Sequence, residues 1–133
     1  MAFFTSSMEK NKRILVTPAA LVLIKLLKED FGELMFHQSG GCCDGSSPMC
    51  FQKGDFKTGQ SDVGLGYVDG FEFWMSKDQF EYWKHTELTL DVVAGRGSSF
   101  SIEIPTGHRF LIRSRLFSDT ELQNLEPLFF SPE

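Results

Sequence analysis

Asp69-Gly70 stands between VGLGYV and FEFWM, two short runs rich in aromatic and aliphatic residues. Both residues of that dipeptide tolerate positive φ, so the stretch reads as a tight two-residue β-hairpin. Further strand signals surround it. ILVT (14–17) reads as a short strand and ELMFHQS (33–39) as a buried one. ELTLDVVA alternates, with Leu88, Leu90 and Val92 on one face, and SFSIEI resumes the alternation with Phe100, Ile102 and Ile104. HRFLIRSRLF gives another strand, on which Arg109, Arg113 and Arg115 share a solvated face. The chain from Phe51 to Asp62 is polar and irregular.

Helices are signalled by their ends. Thr17 caps a helix whose first residue is Pro18, where a missing N–H costs nothing. Ala20, Leu23, Ile24, Leu27 and Phe31 recur at helical spacing, and Gly32 sits where the helix ends, which predicts a helix over 18–31. Ser76 with Gln79, and Ser118 with Glu121, have capping-box spacing. They predict a short helix over about 77–84, packing Phe80 and Trp83, and a last one ending by Pro127. Six or seven short strands with two or three helices, not strictly alternating, make a mainly β, α+β fold. The 133 residues fit one domain, with a flexible tail at 1–13 and a C-terminal tail at 126–133. Fourteen phenylalanines suit a core built on large rings.

Charge and composition narrow the function. A net charge of −5 argues against nucleic acid as a partner. No run approaches the ~20 apolar residues of a membrane span. MAFFTSSMEKNKR lacks the apolar centre and cleavage site of a secretory signal. The three cysteines lie in one loop and form no disulfide framework, so a cytoplasmic setting is expected.

That loop, HQSGGCCDGSSPMC (37–50), carries the chemistry. Thiolates are soft ligands for zinc, iron and iron–sulfur centres, and glycines let a backbone converge several of them. His37, Cys42, Cys43 and Cys50 can supply four donors. The spacing is not that of a zinc ribbon. Cys42 and Cys43 are held apart by a rigid peptide unit, so Cys43 and Cys50 make the better pair, with Cys42 or His37 third. Other readings are thiol redox chemistry, packing of small thiols beside the Gly40-Gly41 and Asp44-Gly45 turns, and a cysteine nucleophile. For a nucleophile, His37, His85 or His108 could be the base and Asp91 its orienter, although His85 follows a helix whose C-terminus it can serve. In AGRGSSF (94–100), Gly95 and Gly97 make a tight corner. Arg96, Ser98 and Ser99 could there bind an anion.

HQSGGCCDGSSPMC, with the preceding helix and the later TLDVVAGRGSSF, resembles a bacterial family known as domain of unknown function 779, over about 14–117. Its members are often encoded beside aldehyde dehydrogenases, which implies an accessory role near that chemistry. A more distant likeness is to the A-type iron–sulfur carriers of the HesB-like fold, which assemble as oligomers. Gly40, Gly41 and Cys42 match their first loop, and Gly95, Gly97, Ser99 and Phe100 their second. Ala94 and Arg96 stand where two cysteine ligands of the carriers would be. The resemblance therefore implies a HesB-like domain whose thiols have been gathered into the first loop, the two glycine loops facing one another.

The expected function is a non-enzymatic thiol-metal or iron–sulfur binding accessory protein, homo-oligomeric, supporting an aldehyde dehydrogenase. The enzyme alternative is a thiol-redox or cysteine-dependent activity in which Cys43 acts and Arg96 holds a small anionic substrate. The third is a metal-free interaction module.

Overall fold

The computed structural model describes residues 10–38, 45–96 and 101–131. It is an α+β fold made mainly of strands, with seven strands in two sheets and three α-helices among the described residues. Strand β1 (Ile14–Val16) leads into helix α1 (Pro18–Phe31). Thr17 is extended and its hydroxyl accepts the Ala20 N–H at 3.1 Å, while Gly32 closes the helix at φ 77°. Ala20, Leu23, Ile24 and Leu27 are the buried stripe that the spacing predicts.

The chain then forms β2 (Leu34–Gln38), β3 (Met49–Gln52), β4 (Asp62–Val68) and β5 (Phe71–Ser76). These lie side by side in the order β3-β2-β5-β4. β2 runs parallel to β5, and the other two pairings are antiparallel. Asp69 (φ 51°) and Gly70 (φ 83°) make the β4–β5 turn in the left-handed conformation expected of them. Ser76 caps α2 (Lys77–Trp83) by accepting the Gln79 N–H at 3.2 Å. Strands β6 (Thr86–Ala94) and β7 (His108–Leu116) then pair antiparallel along their whole length. With β1 parallel to β6 they form the second sheet, β1-β6-β7. A Ser118–Glu121 capping box opens α3 (Asp119–Leu122).

The sheets meet over large rings. Phe36 (β2), Phe73 (β5) and Phe110 (β7) are fully buried. Phe36 stacks on Phe73 at 6.1 Å between centroids and meets Phe110 edge-on at 5.2 Å, so one ring bridges both sheets. Part of the expected C-terminal tail is bonded into the domain. Gly64 and Phe129 exchange backbone hydrogen bonds of 2.7 and 3.1 Å. Gly64 is needed there, because a Cβ would overlap the Phe129 ring. At the other end, Asn11 donates its N–H to Asn124 and accepts that of Glu126. Among the described residues no helix is long and apolar enough to cross a membrane.

Three further expectations change. Cys50, expected in a loop, lies in β3, because β2 takes residues 49–52 as its antiparallel neighbour. SFSIEI does not continue as a strand. Its described part turns at 102–103 and enters a 3₁₀ turn, Ile104–Thr106. Pro105 has no N–H to give a ladder, and Thr106 bonds back to the Glu103 carbonyl through its N–H (2.9 Å) and its hydroxyl (2.6 Å). The arginine row also divides. Arg113 pairs with Asp91 at 2.7 Å, and Arg115 with Glu87 and Glu121 at 3.1 and 3.0 Å, on the solvated face. Arg109 instead reaches across to the Gly45 carbonyl (3.2 Å) and the Ser47 hydroxyl.

Candidate functional site

Strand β2 sorts the candidate residues onto two faces. Side chains alternate along a strand, and residues paired across a ladder share a face. Phe36 pairs with Cys50, and His37 with Met49. Cys50 therefore points with Phe36 into the core, and His37 points to the opposite side of the sheet. The sheet does not bring these two proposed ligands together.

His37 is held firmly where it is. Its Nε2 lies 2.7 Å from Asp62 Oδ1, and its ring packs on Phe56 at 4.4 Å. Asp62 also accepts the Gly59 N–H at 3.0 Å, so the carboxylate joins His37 to the segment before β4. Beyond Phe56 on this face is an open cleft of about 340 Å³, bordered by Met35, Lys53, Lys57, Glu72 and Trp74.

Cys50 has a different setting. It is fully buried among the core residues. Its N–H donates to the Ser101 hydroxyl at 2.8 Å, and its carbonyl accepts the Ile102 N–H at 3.1 Å. The Ser101 hydroxyl in turn donates to Glu103 Oε1. Glu103 is as buried as Cys50, and its Oε2 has no hydrogen-bond partner among the described residues. Burial, and then the neighbouring Glu103 charge, push the Cys50 thiol well above its ordinary value of 9.0. Burial likewise raises Glu103, and hydrogen bonds from the Ser101 hydroxyl and from the backbone N–H groups of Glu103 and Phe110 oppose that shift. A protonated, enclosed thiol is a poor nucleophile. To become a thiolate it needs a cation beside it.

Cys42, Cys43, Ser98 and Ser99 lie outside the described residues, as do Gly40, Gly41, Gly97 and Phe100. The described residues after the first glycine loop are bonded to β7 and to the segment that follows the second loop. Gly45 donates to the Ile112 carbonyl at 2.7 Å, and Ile112 donates back to Ser46 at 2.9 Å. Arg109, bonded to Gly45, has Gly95 beside its stem. Cys50 and Ser101 make the second junction. Arg96 is exposed at the end of β6, where the Gly95 N–H donates to the Gly107 carbonyl at 2.9 Å, as a strand corner requires.

The residues suggested for nucleophilic catalysis are placed elsewhere. Asp91 accepts from the Thr17 hydroxyl (2.8 Å), the Arg113 Nε (2.7 Å) and the Val92 N–H (2.8 Å), a set without a histidine. Burial alone would raise its carboxyl, but the Arg113 and Thr17 hydrogen bonds outweigh that and lower it. His108 is exposed, its Nδ1 3.2 Å from the Thr106 carbonyl. The His85 carbonyl accepts the Phe117 N–H at 3.0 Å. Among the described residues, no three of His, Cys, Asp and Glu converge as a ready metal cage.

The family model for a domain of unknown function (DUF779) matches residues 23–116, most of the chain. The chain belongs to that family. The DUF779 region opens within α1 and closes at the end of β7, so it contains His37, Cys50, Asp62 and Glu103. The Thr17 cap, β1 and α3 fall outside it. No curated protein and no solved structure matches the chain.

Glu103 and Asp62 escaped the reading of the sequence. Asp62 gave no signal. Glu103 gave one: it is a lone carboxylate between Ile102 and Ile104-Pro105, inside an apolar run. A buried acid surrounded by apolar neighbours has to be compensated by something.

Proposed function

We propose that this DUF779 protein is a non-enzymatic thiol-metal binding accessory protein, with Cys42, Cys43 and Cys50 as ligands of zinc, iron or an iron–sulfur centre. The anchoring of Cys50 carries the reading. The last thiol of the cysteine stretch is fixed at the junction with the segment that leaves the second glycine loop. On binding, a metal would have to replace the proton of this buried thiol and supply the positive charge that its thiolate needs. The same burial weighs against the redox and nucleophile readings for Cys50, which need an accessible thiolate. In the A-type carriers the second loop supplies thiols. Here Ala94 and Arg96 offer none, and the first loop would take over that role. When bound, the metal would supply a structural or transferable thiolate centre.

The likeness to families encoded beside aldehyde dehydrogenases extends the proposal to its setting: a cytoplasmic homo-oligomer that supports such a dehydrogenase. Dehydrogenase recovered from cells lacking this protein should then lose activity or stability under aldehyde load. Unchanged activity and yield would remove the partner from the proposal.

The metal is tested by elemental analysis of tag-free protein prepared anaerobically. Wild type should carry metal, and C43S or C50S should lose most of it, since a hydroxyl is a poor soft ligand at neutral pH. C42S should be milder if one of the adjacent pair ligates. H85A and H108A should match wild type. Affinity should rise with pH, because each ligating thiol gives up a proton on binding. Sub-stoichiometric metal in wild type, even after reconstitution with zinc or with iron and sulfide, overturns the reading.

A further inference from the structure

We propose that the cleft on the outer face of the β3-β2-β5-β4 sheet is a second site, separate from the thiols, that binds a small aromatic carboxylate. The ligand's ring lies against Trp74, Met35 and Phe56, and its carboxylate pairs with Lys57. The cleft is on the face of β2 opposite Cys50, so this inference stands or falls apart from the thiol-metal reading.

Ladder pairing assembles the floor. Met35 stands opposite Phe51 and His37 opposite Trp74, so these side chains share one face of the sheet with Glu72, two residues before Trp74. The chain after β3 forms one wall, and the C-terminal stretch forms the other, with Phe129 meeting the Trp74 ring edge-on at 5.1 Å. The first wall is fixed along its length. The Lys53 N–H donates to the Glu33 carbonyl at 2.8 Å, and Gly59 donates to Asp62 at 3.0 Å. Between them the Phe56 ring packs on Phe51 at 5.0 Å and on His37 at 4.4 Å. The Thr58 carbonyl accepts the Ser131 hydroxyl at 3.3 Å, which joins the two walls. The space left, about 340 Å³, is in the range of small-molecule sites, and walls already held in place lose little freedom when a ligand enters.

Charge selects the ligand. Glu72 is already balanced, because its Oε1 accepts the Trp74 indole N–H at 3.0 Å and Lys53 Nζ lies 3.6 Å from its Oε2. Lys57 borders the same cleft and makes no salt bridge among the described residues. It is the charge on the rim without a counterion. A lysine in open water needs none, but one beside an indole and a phenyl ring offers a flat anion two attachments at once. Phosphate would meet the ammonium alone, and a neutral ring the apolar floor alone. The carboxylate of an aromatic acid uses both. The Glu72 charge repels a second negative group, which favours a monoanion.

The test uses the full chain with cinnamate as the probe, followed by calorimetry and by NMR of the tryptophan indole N–H groups. Wild type should bind cinnamate saturably. The Trp74 indole resonance should move, and that of Trp83, in α2, should not. K57Q changes an exposed side chain and leaves the core untouched, so it should fold and bind at least roughly tenfold more weakly, the loss of one charge-assisted contact. K25Q, which removes an exposed lysine of α1, should bind as wild type does. Cinnamamide and inorganic phosphate should each bind at least roughly tenfold more weakly than cinnamate. The inference is overturned if wild type does not bind cinnamate, if the Trp74 signal stays in place, or if K57Q or cinnamamide matches the parent pair. An equal loss in K25Q and K57Q also overturns it, because the acid would then be answering general positive charge and not this cleft.

Discussion

Replacing Phe36 by alanine should cost the fold about 3–5 kcal/mol, the range for deleting a buried aromatic ring. Phe36 is fully enclosed, and its ring touches Phe73 of its own sheet and Phe110 of the other. The two partners come from strands far apart in the chain, so neither can follow the missing ring inward without dragging its ladder. The cavity would therefore persist, and a persisting cavity puts a large-to-small substitution at the costly end of its range. Phe36 also stands opposite Cys50 in the β2–β3 ladder, so loosening there should reach the thiol. Urea or guanidinium titration measures the loss. A cost near about 1 kcal/mol, the average for any point substitution, would mean that the two sheets do not depend on this ring.

His37→Ala should destabilise the protein strongly and leave its metal content alone. The imidazole is buried, hydrogen-bonded to Asp62 at 2.7 Å and packed on Phe56 at 4.4 Å. A hydrogen bond to a charged group is worth about 1.5–3 kcal/mol, and the lost ring contact adds to it. The Gly59 N–H would remain as a donor to Asp62, which limits the penalty on the carboxylate side. Because His37 and Cys50 project from opposite faces of one sheet, Cys50 itself should not register the change. Denaturant midpoints and elemental analysis, run on the same preparation, separate the two effects. A folded H37A that loses metal as C50S does would instead make His37 a ligand.

These two residues show where sequence reasoning reaches and where it stops. The sequence by itself determined the elements whose causes are local. The Thr17–Pro18 start and Gly32 stop of α1, the Asp69-Gly70 hairpin and the two capping serines act within about four residues, and all appear in the structure as expected. It also marked the cysteine stretch as the place to look, and Cys50 does sit at a junction of segments distant in the chain. The orientation of His37 was not legible. All five residues of β2 are buried, so the strand has no polar face to reveal which side chains share a side. Only its register against β3 and β5 settles that, through partners that lie elsewhere in the sequence. Glu103 was hidden for a related reason. Alternation in SFSIEI looks like a strand until Pro105 denies it a ladder and the chain turns in on itself. The tertiary structure alone carries that carboxylate, 53 residues along the chain from Cys50, to the same enclosed place. Local hydrogen bonding and side-chain size are written in neighbouring residues; which buried groups meet is decided by long-range pairing, and no short window of sequence contains it.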